Sequence, residues 1–246
     1  MGNLIHAGEN YHRVVEIVRS GVLGTITKAR VWVGGNRGGM GSPPDGPAPE
    51  GADYDFWLGP APKRPFNPNR FTFNWRYFWD YSQGQVSEGL SHQLAFWTQA
   101  LALNIPSAVT MTGGLYRWND GREVPDTMTI AMDFDRLLFT WDSGAGNGHY
   151  GSEEAVLGTD ATVIKNQHIA WLPQKVTRPK DAPITRRPLN DPRAHVENFF
   201  AAIRDGARIN CPFETGFQTS IACRMAVESL WSSRTVRWDA QREQIV

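Results

Sequence analysis

Cysteine is nearly missing from this chain. Only Cys211 and Cys223 occur in 246 residues, and no metal-type spacing surrounds either. Two cysteines do not make a disulfide framework, and a reducing compartment is the expectation. An excess of one charge is also missing: Lys+Arg is 25, Asp+Glu is 25, and the net charge is zero. A nucleic-acid footprint needs a basic surplus on one face, so no nucleic-acid partner is expected. No apolar run approaches the length of a membrane span. The opening Met1-Gly2-Asn3-Leu4-Ile5-His6 has no basic region followed by an apolar core, so it does not read as a signal peptide. No membrane partner and a cytoplasmic location are expected.

Tryptophan, by contrast, is plentiful. Ten occur, aromatics make up 11 % of the chain, and many cluster between Phe56 and Trp97. Indole rings fill cores, and at a concave surface they also make platforms for sugar rings. The length suffices for one large domain with a full core, and residues 1–246 are read as a single domain.

Tyr11, Val14, Val15 and Val18 recur at helical spacing, so a helix is expected over residues 11–19, closed by Gly21. Residues 26–33 alternate and are β-branched, which predicts a strand. Residues 34–65 are rich in Gly and Pro and read as a long loop with an aromatic island at Asp53-Tyr54-Asp55-Phe56-Trp57. A second helix is expected over 87–103, with Ser87 as N-cap. Strands follow at 108–118, 127–134, 137–141, 154–157, 161–165 and 168–172. Short turns join several of them, which implies antiparallel pairing. Residues 174–187 read as a linker, 192–205 and 213–232 as helices, and 235–238 as a last strand. The sum is an α+β fold: a large open, mostly antiparallel β-sheet with helices packed on one face. The other face must be covered or stay polar, and a homo-oligomer through that sheet face is expected.

The run Asn74-Trp75-Arg76-Tyr77-Phe78-Trp79-Asp80-Tyr81, followed by Glu88-Gly89-Leu90-Ser91-His92, resembles the C-terminal domain of the glucose–fructose oxidoreductase/inositol dehydrogenase (Gfo/Idh/MocA) family. Residues 11–32 look like that family's crossover helix and first sheet strand. Residues 53–62, His195-Val196-Glu197-Asn198-Phe199 and Trp238-Asp239 are similar to its later motifs. The resemblance implies the substrate-binding and oligomerisation half of a sugar or polyol oxidoreductase. Full-length relatives use NAD or NADP, bound by a Rossmann domain. No strand here runs into Gly-x-Gly-x-x-Gly and a helix. Gly34-Gly35-Asn36-Arg37-Gly38-Gly39 leads into a Pro-rich loop instead, so no cofactor is expected in this chain and the Rossmann domain is expected to be absent.

The resemblance also implies catalytic roles for Glu88 and His92, which stand at the positions of an Asp-x-x-x-His unit whose His assists proton transfer from a sugar hydroxyl. Spaced four apart on a helix, they are expected to share a face, where a carboxylate can set the imidazole's tautomer. His92 is expected at the floor of the principal pocket. Glu replaces Asp at 88, and Ala95 stands where the family often has Asp. Asn74, Trp75, Arg76, Tyr77 and Asp80 are substrate-binding candidates, since Arg forks onto hydroxyls or carboxylates and Trp stacks on sugar faces. The structural alternative is an aromatic plug with Arg76 paired to Asp80. A metal held by Glu88 and His92 would need a third ligand, for which His149 and His195 qualify only by type, and none is expected. Two other functions compete: a cofactor-independent glycoside hydrolase or lyase using Glu88 and His92, and a non-catalytic sugar-binding scaffold.

Overall fold

A computed structural model describes residues 2–36, 38–144, 146–165, 168–173, 185–186 and 192–246. In chain order its elements are α1 (Glu9–Arg19), β1 (Ile26–Asn36), α2 (Tyr54–Leu58), α3 (Ser91–Ala100), β2 (Ala108–Gly114), β3 (Thr127–Asp133), β4 (Leu138–Gly144), β5 (Gly146–Gly158), β6 (Ala161–Lys165), β7 (His168–Pro173), β8 (Thr185–Arg186), α4 (Pro192–Asp205), α5 (Phe213–Ser232), β9 (Val236–Asp239) and β10 (Gln244–Ile245).

The strands form one ten-stranded sheet in the order β10-β9-β2-β3-β4-β1-β5-β6-β7-β8. Neighbours pair antiparallel, with short turns joining β3 to β4, β5 to β6 and β9 to β10. The exception is β1, which pairs parallel with β4 after the long excursion through α2 and α3. Alternation sorts the side chains. Val109, Met111, Met128, Ile130, Met132, Phe139 and Trp141 are buried together on one face, where α5 crosses β2 and packs on α3, and α3 packs on α1. The opposite face shows Thr110, Thr112 and Thr129 to solvent, and Thr129 Oγ1 donates to Asp142 Oδ1 at 2.8 Å. The fold is therefore the expected α+β arrangement, with an open face that is largely threonine and charge.

Some boundaries differ from expectation, each for a local reason. The strand expected to reach residue 118 stops at Gly114. The Asp126 carboxylate accepts from the backbone N–H groups of Tyr116, Arg117 and Trp118 at 3.0–3.2 Å and draws the chain out of the sheet. The helix expected over 87–103 is two pieces. Val86–Leu90 is a single π-helical turn, and α3 follows it. Ser87 does not cap a helix. Its hydroxyl lies 3.0 Å from that of Ser82 and accepts from Gln83 N at 3.1 Å, tying off the preceding turn. On α4, Phe199 and Ile203 share a face as their spacing requires, and both are exposed. Most of the expected linker at 174–187 lies outside the described residues.

Candidate functional site

The site grows from the loop between β1 and α3. Its aromatic island folds back on itself: Tyr54 stacks on Trp57 at 5.9 Å, and Trp57 meets Tyr81 at 5.0 Å. Asp53 caps the five-residue α2 by accepting from Phe56 N at 2.9 Å. The Glu123 carboxylate then holds the returning chain, accepting from Trp79 N at 2.9 Å. These anchors deliver Trp75, Trp79 and Asp80 beside the π-turn that carries Glu88. A π-turn inside a helix shifts register by one residue and is often found at functional sites.

A cavity of about 590 Å³ opens there, lined by Trp75, Trp79, Asp80 and Glu88, and across from them by Arg224 and Trp231 of α5. Trp79 and Trp231 meet edge to face at 5.2 Å, and the Arg224 guanidinium sits 4.9 Å over the Trp231 ring while pairing with Glu228. Arg76 Nη1 donates to Glu88 Oε2 at 2.7 Å, and its guanidinium lies 3.9 Å over Phe73 and 5.3 Å over Trp75. Asp80 faces a different cation: Arg64 Nε stands 2.9 Å from its Oδ2, as an ion pair rather than an aligned hydrogen bond. The expected alternative of an Arg76–Asp80 pair is thus replaced by two separate pairs.

Burial marks two groups in the wall. The buried Tyr81 hydroxyl has no hydrogen-bond partner, and its pKa is raised by burial first, then by nearby Tyr54 and Asp80. Burial alone pushes the Cys223 thiol up to about 12, and its Sγ donates to Val86 O at 3.3 Å. Cys223 is therefore a packed thiol rather than a nucleophile.

The structure brings Trp75, Asp80 and Glu88 to one cavity and places the other candidates elsewhere. Tyr77 is core: it is buried with Phe78 and Val124, with the Arg122 guanidinium 4.8 Å over its ring. Asn74 turns back to Asn69, donating to Oδ1 at 3.3 Å. His92 is exposed and does not line this cavity, although its neighbour Ser91 does. The His92 ring instead stands 3.5 Å from Asn3 Oδ1. Its expected place on the cavity floor is therefore corrected. The four-residue spacing assumed an α-helix, and the π-turn beneath Glu88 breaks that stacking.

The α5 wall went unread in the sequence. Ser220, Arg224 and Trp231 repeat at i, i+4 and i+11 on one side of a helix otherwise rich in buried small and apolar residues. That polar and aromatic stripe was the available signal.

No group of three His, Cys, Asp or Glu side chains able to hold a metal occurs among the described residues. The glycines at 34 and 35 do not open a helix, as a dinucleotide loop would require. Gly34 and Gly35 belong to β1, and the next helix, α2, begins only at Tyr54 with its N-terminus already capped by Asp53. No helix among the described residues is long and apolar enough to cross a membrane.

Solved structures share this fold at low identity. YvaA, an oxidoreductase of Bacillus subtilis, aligns at TM-score 0.68 and 15 % identity over 97 % of this chain and 65 % of its own. The WlbA dehydrogenase of Bordetella pertussis, solved with NADH and UDP-GlcNAcA, aligns at 0.61 and 14 % over 94 % of this chain and 60 % of its own. A levoglucosan dehydrogenase, solved with NADH and levoglucosan, aligns at 0.64 and 14 % over 93 % and 64 %. The chain thus spans under two thirds of the length of each of these three relatives. No curated protein sequence matches it. Residues 10–102, which include the tryptophan-rich segment, Glu88 and His92, match the profile of the oxidoreductase family, C-terminal alpha/beta domain. Over that stretch, well under half of its length, the chain is similar to the C-terminal domain of the Gfo/Idh/MocA oxidoreductase family.

Proposed function

We propose that this chain, folded as a single domain, is the substrate-binding part of a sugar or polyol oxidoreductase, with the Trp-walled cavity as its sugar site. The observation that carries the reading is the wall itself. Indole rings from the loop and from α5 line the cavity together with Glu88, whose carboxylate is paired with Arg76. Sugars are bound by this combination: ring faces for C–H surfaces, and charged groups for hydroxyls. Glu88 Oε2 is engaged by Arg76, while Oε1 makes no hydrogen bond among the described residues and is free to accept from a hydroxyl. The related dehydrogenases solved with UDP-GlcNAcA and with levoglucosan support a sugar-class substrate. Hydride exchange falls outside the described residues of this chain. The threonine-rich open face serves self-association.

Calorimetric titration with a panel of sugars and sugar nucleotides tests the reading. Saturable binding that is lost in Glu88→Gln and in Trp75→Ala supports it, and no binding by any member at millimolar concentration overturns it. Because Asp80 and Glu88 both line the cavity, a cofactor-free hydrolase is the second reading. It requires release of nitrophenol from aryl glycosides by the chain alone.

A further inference from the structure

A second, smaller cavity lies away from the sugar site. It measures about 170 Å³ and is lined by His6, Tyr11, His12, Arg19, Gln99 and Arg208, among others, where α1 meets the segment joining α4 to α5. Among the described residues no carboxylate lines it. On α1, Glu16 is already paired with Arg13 at 3.0 Å. Arg19 and Arg208 enter no ion pair among the described residues.

The hydrogen bonds fix the state of His6. Gln99 Nε2 donates to Asn210 O at 2.9 Å, which orients the amide so that Oε1 faces His6 Nδ1 in a hydrogen bond. Nδ1 therefore carries the proton, and Nε2 of the neutral ring is a bare acceptor. That Nε2 is fully buried and has no partner. Burial lowers the His6 pKa to about 4, so the ring stays neutral at ordinary pH. Burial likewise pushes the Tyr11 phenol up to about 12 and keeps its proton in place. The cavity thus offers two guanidinium groups for anionic oxygens and one buried acceptor that needs an O–H.

We propose that this cavity binds a phosphate group, either free or carried by a small phosphate monoester. A phosphate near its second ionisation, pKa about 6, has both features at once: charged oxygens for the arginines and a P–OH to donate to His6 Nε2. Sulfate has the charge without the proton, and chloride has neither donor nor fork-matching oxygens. The volume, worth about six waters, admits one phosphate group with room beside it for part of an ester substituent.

The test is calorimetry on the whole chain at pH 6.5 and constant ionic strength, with inorganic phosphate, glucose 6-phosphate and sulfate as titrants. Saturable phosphate binding is expected, weakened about tenfold in Arg208→Ala and in Arg19→Ala, because each loses a charge-assisted hydrogen bond. Sulfate should bind about tenfold more weakly for want of the proton. Both arginines are exposed, so the variants should melt with the parent chain. The His6 Nε2 nitrogen resonance should shift on adding phosphate. Tighter binding of glucose 6-phosphate identifies a monoester as the ligand, and equal binding identifies free phosphate. The proposal is overturned by no saturable heat with either phosphate source, by sulfate binding equal to phosphate, or by unchanged affinity in Arg208→Ala.

Discussion

Arg76 Nη1 and Glu88 Oε2 stand 2.7 Å apart and join the tryptophan segment to the π-turn across twelve positions of sequence. Each side chain is about one fifth exposed. The pair is thus screened less than a surface bridge yet not fully desolvated. Arg76→Met should cost about 1–2 kcal/mol of stability, between the values of exposed pairs and buried charged hydrogen bonds. Urea unfolding of Arg76→Met, Glu88→Gln and the double variant should show non-additivity of about 1 kcal/mol. Additive losses would mean that the two groups do not act together.

Much of this arrangement was legible in the sequence, and the reason is periodicity. The α1 stripe of Tyr11, Val14 and Val15 and the alternation through Val109, Met111, Met128 and Ile130 each fit one regular geometry. Burial then follows from position. The site was legible only where a segment runs directly into its partner, as residues 75–80 run into Glu88. Two features had no such signal. The π-turn departs from the α spacing on which the placing of His92 relied, and nothing in Val86-Ser87-Glu88-Gly89-Leu90 announces it. The α5 wall reaches the cavity through tertiary packing, from residues more than 130 positions after Glu88.

Gly84 should resist substitution. It has φ +59°, which favours glycine, and a Cβ there would stand 2.6 Å from Val124 Cγ2. Val124 is itself buried beside Tyr77 and Phe78, so it has little room to yield. Gly84→Ala should cost about 2 kcal/mol, from backbone strain and crowding together. The shift in urea midpoint measures it, and a neutral substitution would mean that the turn relaxes freely.

His6 should make folding sensitive to mild acid. The unfolded chain binds a proton there near pH 6.5, and the folded chain only near pH 4, because burial penalises the charged ring. Between these values the unfolded state holds more protons. The stability is fully present above pH 6.5 and falls as pH drops toward 4, by about 3 kcal/mol in all. Unfolding free energies of the parent and His6→Gln should therefore converge as pH falls from 7 to 4. Parallel pH profiles would show that His6 is not the group responsible.

The buried ion pair under α3 should be costly to break and cheap to remove whole. Lys165 Nζ lies 3.0 and 2.9 Å from the two carboxylate oxygens of Glu154, with 1 % of its side chain exposed, and 3.6 Å over the Phe96 ring. Trp97 Nε1 donates to the same carboxylate at 2.9 Å. Burial lowers the Lys165 pKa, and Glu154 opposes that shift. Replacing the carboxylate alone strands a cation in the core, so Glu154→Gln should cost about 3–5 kcal/mol. Lys165→Met with Glu154→Gln removes the stranded charge, fills similar volume and leaves the amide oxygen for Trp97. The double variant should therefore be more stable than Glu154→Gln by about 2 kcal/mol or more. Thermal and urea unfolding of the three proteins decide it. A double variant less stable than Glu154→Gln would show that the Lys165 cation, held over Phe96, contributes more than its desolvation costs.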